Sequence, residues 1–300
     1  MKSEVDKSVK GYERKPSWLR VKLPSDPTFW STKDLVSDLK LVTVCEEAQC
    51  PNRWECWEQG TATFIIAGDR CTRACGFCAV KTAKPFDLEA DEPERVAEAT
   101  QRLGLKHVVI TAVARDDLAD GGALHFADTI RAVRDKCPDV VIEVLVPDFN
   151  LKNDALLMVI EAAPEVFNHN LETVERLTPL VRSRAKYDRS LKVLQQAKMM
   201  AGKLGATMTT KSGLMLGLGE SEDEVLVAMD DLRLHGVEVL TLGQYLRPSA
   251  NHLPVVEYIH PDVFASLKER ALKKGFVHVS SGPLVRSSYH AGDFSPSDAS

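Results

Sequence analysis

From Thr63 onward this chain alternates short β-rich runs with amphipathic helical stretches, and nothing else in it limits the fold as tightly. Strands are expected at 63–67 (TFIIA), 107–112 (HVVITA), 140–146 (VVIEVLV), 166–170, 208–216, 237–242 and, as a last short one, 276–280. Helices are expected between them. The first starts near Asp91, with Pro93 in its opening turn and Gly104 at its end. Others fall at 124–136, 155–163 and 190–200. A capping box of Ser221 and Glu224 opens the next, which ends near Gly236, and the last runs over 261–274 to Gly275. Such alternation builds parallel βαβ units, which close into a barrel or spread as a doubly wound sheet. Here Gly76, Asp116, Asp117, Gly121, Gly122, Glu172, Gly217 and Gly219 follow the strands rather than precede them. A β/α barrel builds its site on those C-terminal strand ends, so the expected fold is α/β, an incomplete (β/α)6 TIM-type barrel.

Residues 1–62 break the rhythm with Pro16, Pro24, Pro27, Trp18 and Trp30, and are expected to form an N-terminal extension wrapping the barrel of 63–280. Residues 281–300 read as a C-terminal tail. The chain's 300 residues are 44% hydrophobic and 27% charged, an ordinary soluble composition. No run approaches the roughly 18 apolar residues of a membrane span. The net charge of −5 is spread along the chain and leaves no electrostatic footprint for nucleic acid. Residues 1–16 carry Glu4, Asp6 and Glu13 and lack a signal's apolar core, which points to the cytoplasm.

Six of the seven cysteines lie between Cys45 and Cys78, in two triplets. Cys45, Cys50 and Cys56 are spaced C-x4-C-x5-C; Cys71, Cys75 and Cys78 are spaced C-x3-C-x2-C directly after the first strand. Three thiolates on a cubane iron–sulfur cluster leave one iron open to another ligand. A disulfide framework suits a short secreted chain instead. Zinc prefers paired C-x2-C units and four ligands, yet only Cys75 and Cys78 have that spacing and no histidine lies between Cys45 and Cys78. A ferredoxin normally uses four cysteines per cluster. Two cubane clusters, each one cysteine short, remain the best reading. Cys137 stands apart and reads as a buried structural thiol.

The segment CTRACGFC (71–78) resembles the signature of the radical S-adenosylmethionine superfamily. CEEAQCPNRWECW (45–57), TATFIIAGDRCTRACGFCAV (61–80), RDDLADGGALHFA (115–127), HNLETV (169–174), KSGLMLGLGE (211–220), LTLGQYLRPS (240–249), HLPV (252–255) and RSSYHAGDF (286–294) narrow the resemblance to the lipoyl synthase family, over nearly the whole chain from about Trp18. Arg53-Trp54 replaces the family's usual Ile-Gly, and Ala114 stands where many members carry Asp; neither is a ligand position.

By that resemblance Cys71, Cys75 and Cys78 hold a [4Fe–4S] cluster whose open iron is chelated by S-adenosylmethionine. Cys45, Cys50 and Cys56 hold an auxiliary [4Fe–4S] cluster closed by Ser288, the serine before tyrosine in RSSY. The implied reaction inserts two sulfur atoms, donated by the auxiliary cluster, at C6 and C8 of a protein-bound octanoyl-lysine. The implied partners are an octanoylated lipoyl-carrier domain of 2-oxoacid dehydrogenase complexes or the glycine cleavage H protein, a reductant such as ferredoxin or flavodoxin, and an iron–sulfur carrier for cluster repair. Gly121 and Gly122 are candidates to let backbone approach the methionine moiety, with a simple turn as the alternative. Asn170 and Glu172 are candidates for the ribose hydroxyls, and Arg182 for the methionine carboxylate, with a solvated surface arginine as the alternative. Gly217 and Gly219 are placed near adenine, Asp116 and Asp117 are read as exposed acids, and His107, His235, His260 and His278 as structural. Another sulfur-inserting enzyme of the superfamily, or a zinc-stabilised module without catalysis, are the competing readings.

Overall fold

A computed structural model describes residues 15–20, 27–47, 50, 52–58, 63–182, 184–289 and 291. In chain order its helices and strands are α1 (Pro27–Asp38), β1 (Val42–Thr43), α2 (Val44–Glu47), α3 (Arg53–Glu58), β2 (Thr63–Ile66), β3 (Arg70–Cys71), β4 (Lys81–Thr82), α4 (Glu92–Arg102), β5 (His107–Ala112), α5 (Ala123–Lys136), β6 (Val141–Leu145), α6 (Asn153–Glu161), β7 (Val166–Asn168), α7 (Thr178–Val181), α8 (Tyr187–Lys203), β8 (Thr209–Leu216), α9 (Glu222–Leu234), β9 (Val239–Gln244), α10 (Pro261–Lys273) and β10 (His278–Gly282).

The main sheet runs β1-β2-β5-β6-β7-β8-β9-β10. Every pairing in it is parallel except β1 with β2, where Val42 meets Ile65 and Thr43 meets Phe64. The expected six β/α units are present with β10 as a further parallel strand, and the barrel is not closed, since β1 and β10 are its two edges. At two residues, β1 is too short to carry a period, so sequence reasoning missed it.

The parallel strands of the main sheet alternate with period two. Phe64, Ile66, Val108, Ile110, Ile142, Val144, Phe167, Leu214, Leu216, Leu240 and Leu242 join one core with the helices, where Phe126, Ile130, Leu156, Leu194, Met229 and Phe264 meet them. The alternate set faces the lumen. Its floor holds Val166 against Val239. Beside them is a buried charge cluster. Lys211 Nζ lies 2.8 and 3.0 Å from the two oxygens of Glu143, which also accepts from Asn168 Nδ2 at 3.0 Å and sits 3.2 Å from His107 Nε2.

The open edge is bridged by the extension and the tail. Asn52 Nδ2 donates to Leu284 O at 2.6 Å, and Tyr289 OH donates to Glu55 at 2.9 Å. Thr32 Oγ1 ties α1 to α3 through Trp57 O at 3.1 Å, and Trp57 itself is fully buried. Arg95 anchors the extension to α4 by donating to Leu39 O and Lys40 O.

Candidate active site

The two triplets sit at opposite ends of β2. Cys45 is next to Thr63, at the strand's start, and Cys71 follows its end in β3. A four-residue strand separates the levels by on the order of 10 Å. Both levels open into one cavity of about 1250 Å³, lined by Cys45, Cys50, Cys56, Cys71, Cys75 and Cys78 together with Asn170, Glu172, Arg182, Arg286, Ser287 and Ser288. Val109, Leu145, Met215 and Thr241 form its wall between the two levels.

None of the six cysteines is joined in a disulfide. Burial pushes Cys45 up to about 11 and Cys78 up to about 12, and raises Cys50 and Cys75 as well. Buried thiols of this kind ionise only against a compensating cation, which soft iron supplies. Among the described residues no three of Cys, His, Asp and Glu are disposed to hold a single metal ion. Two soft thiol triplets on a roomy cavity fit polynuclear iron–sulfur groups better than zinc, which prefers four ligands in paired units.

The Cys71–Cys78 loop is gripped from several elements. Arg73, buried, donates through Nε and Nη2 to Asp116 at 2.8 and 2.7 Å and through Nη2 to Asp148 at 2.7 Å. Arg73 holds Asp116 down to about 2 against the opposing pull of burial. Asp116 is thus no default surface acid: its side chain is 17% exposed because the arginine consumes it. Asp117, more exposed, pairs with Arg115. Cys71 Sγ accepts from the Arg73 and Ala114 amides, both at 3.4 Å. His252 Nε2 donates to Cys78 O at 2.9 Å, and Ser249 Oγ donates to His252 Nδ1 at 2.8 Å.

Asn170 and Glu172 lie just beyond β7, which ends at Asn168, two residues short of the expected strand end. Glu172 takes a left-handed φ of 70°, costly for a residue with a Cβ, and its amide and carbonyl are pinned by Gly213 O and Met215 N at 2.9 and 2.8 Å. Burial raises its carboxyl. Asn170 Nδ2 donates to Glu172 at 3.1 Å and to Ser287 Oγ at 2.6 Å, while its Oδ1 is buried without a partner, a ready acceptor for a bound hydroxyl or amine. Gly213 keeps this corner open: a Cβ there would lie 2.5 Å from Thr241 Oγ1 and 3.0 Å from Asn170 Oδ1. Arg182 is buried on the cavity rather than solvated.

Ser287 and Ser288 both border the cavity, but Ser287 is engaged by Asn170. Ser288 stands between Arg286, whose charge reaches Cys50, and Tyr289, whose hydroxyl reaches Glu55 beside Cys56. Gly121 and Gly122 are not among the residues lining the cavity. Their φ values of 70° and 88° supply the turn into α5, and a Cβ on Gly121 would come 3.1 Å from Phe149. Gly217 and Gly219 are likewise absent from the lining; a Cβ on Gly217 would collide with Gln244 and Glu257 at 2.2 and 2.4 Å. His107 borders the cavity and bonds Glu143. Cys137 is only partly buried, closing α5. Arg73, Ser190 and Asn52 escaped the sequence reading, since each acts through a partner eight or more residues away.

The radical SAM superfamily model matches residues 65–232, and a model of the N-terminal domain of lipoyl synthase matches residues 1–50. The lipoyl synthase of Shouchella clausii is 56% identical over 281 residues, 93% of this chain and 90% of that protein. The lipoyl synthase of Symbiobacterium thermophilum is 57% identical over 280 residues, 93% of this chain and 86% of that one.

The chain belongs to the lipoyl synthase family.

It is a radical S-adenosylmethionine enzyme of lipoyl synthesis, and lipoyl synthases of this superfamily use S-adenosylmethionine and [4Fe–4S] clusters. Solved structures agree on the fold. SuiB of Streptococcus suis bound to S-adenosylmethionine gives a TM-score of 0.57 at 11% identity, over 82% of this chain and 57% of that one. Methylornithine synthase gives 0.51 at 12% identity, over 85% and 82%. At such identities the likeness concerns the partial barrel alone.

Proposed function

We propose that the two triplets serve two [4Fe–4S] clusters at the two ends of one lumen, and that the octanoyl chain of a carrier protein's lysine reacts between them. The observation that carries this reading is the single cavity bordered by all six cysteines and Ser288. Cys71, Cys75 and Cys78 hold the first cluster; Cys45, Cys50, Cys56 and Ser288 hold the second. When bound, these groups and S-adenosylmethionine supply a radical strong enough to take hydrogen from unactivated carbon and the sulfide that replaces it.

The chain's own residues bind, orient and enclose. Arg182 pairs the methionine carboxylate, matching a planar fork to a planar acceptor. Asn170 Oδ1 and Glu172 accept from the ribose hydroxyls, for which the unpartnered buried oxygen and the pinned left-handed backbone are the support. Val109, Leu145 and Met215 wall the acyl path in apolar groups. Arg286 keeps a positive charge beside Cys50, favouring its thiolate. Residues 1–62 act as the unit that brings the second triplet to the open edge, and residues 281–300 as the tail that brings Ser288 to it.

The macromolecular partner is a lipoyl-carrier protein. More finely, we propose an octanoylated domain of a 2-oxoacid dehydrogenase complex or the glycine cleavage H protein, with a ferredoxin- or flavodoxin-like reductant and an iron–sulfur carrier for repair. No described helix is long and apolar enough to cross a membrane, in keeping with the proposed cytoplasmic location.

The test is mass spectrometry of an octanoyl-lysine peptide after anaerobic incubation with cluster-loaded protein, S-adenosylmethionine and a reductant. Gain of two sulfurs is expected. Formation of 5′-deoxyadenosine without sulfur gain would refute the octanoyl substrate. Neither product from a verified two-cluster protein would refute the catalytic reading.

A further inference from the structure

Behind Arg182 lies a buried relay that the reading above does not use. Arg182 Nη1 donates to three acceptors: Asn170 O at 2.9 Å, Leu171 O at 3.3 Å and Ser190 Oγ at 3.0 Å. The two carbonyls can only accept. The Ser190 hydroxyl can do either, and its direction is set by what it meets on its other side. That neighbour is His169 Nε2, 3.0 Å away. His169 Nδ1 lies 2.8 Å from Val146 O, a carbonyl, so Nδ1 carries the ring proton. Nε2 of the neutral ring then offers a lone pair, Ser190 gives it the hydroxyl proton, and the lone pairs of Oγ are left for Arg182. His169 and Ser190 are 1% and 0% exposed, so no solvent competes for either group.

We propose that His169 and Ser190 are positioning residues for Arg182, fixing the guanidinium against the end of β7 so that its remaining edge meets the carboxylate of S-adenosylmethionine. This rests on the reading of Arg182 as that carboxylate's partner. The relay reaches the strand end below as well, because Val146 follows β6 and His169 follows β7. The arginine is thus indexed to two neighbouring strands rather than to a flexible stem. Removing the serine hydroxyl frees Nη1 from one of three acceptors and strands the buried lone pair of Nε2.

The experiment uses the cluster-loaded enzyme and S-adenosylmethionine itself. Its dissociation constant is measured by equilibrium dialysis, and KM and kcat for 5′-deoxyadenosine formation are measured alongside, for Ser190→Ala, Ser190→Thr, Arg182→Met and the double variant Ser190→Ala/Arg182→Met. Ser190→Ala is expected to weaken binding about fivefold, as one hydrogen bond's worth, and to raise KM with little change in kcat. Ser190→Thr, which keeps the hydroxyl, is expected to restore most of it. In the Arg182→Met background the serine substitution is expected to do nothing further, the signature of a group acting through that arginine. Wild-type affinity in Ser190→Ala beside weakened affinity in Arg182→Met would overturn the relay and leave the Arg182 reading standing. An equal loss from Ser190→Ala in both backgrounds would overturn it too, marking a general packing effect. Wild-type affinity in Arg182→Met would remove the Arg182 reading and the relay with it.

Discussion

Ser287 and Ser288 are chemically identical neighbours with different surroundings. Ser287 Oγ accepts from Asn170 Nδ2 at 2.6 Å, which commits it to the corner beyond β7. Ser288 is flanked by Arg286 and Tyr289, both directed at the second triplet through Cys50 and Glu55. Ser288→Ala is therefore expected to abolish sulfur insertion while 5′-deoxyadenosine still forms, and to lower the iron held at the second triplet. Ser287→Ala is expected to keep both clusters and lose only part of the rate. Iron and sulfide assays on the two variants check this, and the assignment fails if Ser287→Ala alone stops sulfur insertion. Arg73 illustrates the same lesson. Its place inside C-T-R-A-C is visible in the chain, but the two carboxylates it joins come from the loops after β5 and β6.

At the scale of the element, the cysteine loop is held by contacts converging from several loops. Asp148, fully buried, accepts from Arg73 and from the Asn150 amide, and Arg189 Nε lies 2.8 Å from its other oxygen as an ion pair out of hydrogen-bonding alignment. The turn that presents it runs Phe149, Asn150 and Leu151 at φ of 44°, 52° and 59°, three left-handed residues in succession. Such a turn costs energy and persists only where its surroundings over-determine it. Gly76 serves the other flank. Its N–H donates to Val181 O at 2.9 Å and its carbonyl accepts from Leu253 N at 3.0 Å, and a Cβ there would come 2.9 Å from the Leu253 side chain. Arg73→Met leaves Asp148 buried with one off-line cation. We expect a loss of about 3–5 kcal/mol of stability, read by anaerobic urea denaturation. A change below 1 kcal/mol would show that the clamp is not a major support.

The whole molecule is an open sheet with a charged floor and a bridged edge, and two buried groups in it, His169 and Glu143, set its response to acid. Burial and the charge of Arg182 hold His169 from 6.5 down to about 4. Burial pushes Glu143 up, but Lys211 and His107 more than offset this and bring it from 4.5 to about 2. Both folded values are depressed, so each stabilises fully above its unfolded value and is lost as pH falls through the folded one. His169 acts between pH 6.5 and 4, and Glu143 between 4.5 and 2. Each window is worth about 3 kcal/mol at most. Wild-type stability is therefore expected to fall between pH 7 and 5, and His169→Gln to flatten that fall. Parallel slopes for the two proteins over that range would count against it.

The strands and helices were readable because period-two and helical patterns are local properties, and strand–helix alternation implies parallel order. The capping box of Ser221 and Glu224 is present as expected. So was the placing of the C-x3-C-x2-C loop directly after the first strand. What the chain could not display was every distance between residues far apart along it. That the two triplets share one lumen follows from Cys45 lying at the start of β2 and Cys71 beyond its end. That Asp116 is an anchor, Arg182 buried and Ser287 engaged depends on loops brought together by the sheet's order. Gly121 and Gly122 show the converse: a glycine's position in sequence says that backbone freedom is needed, but only packing says whether a ligand or a turn uses it. The sequence alone determined the alternating strands and helices of the partial barrel, the two thiol triplets and the family. The tertiary structure decided which polar groups pair, because burial and pairing depend on neighbours in space rather than along the chain.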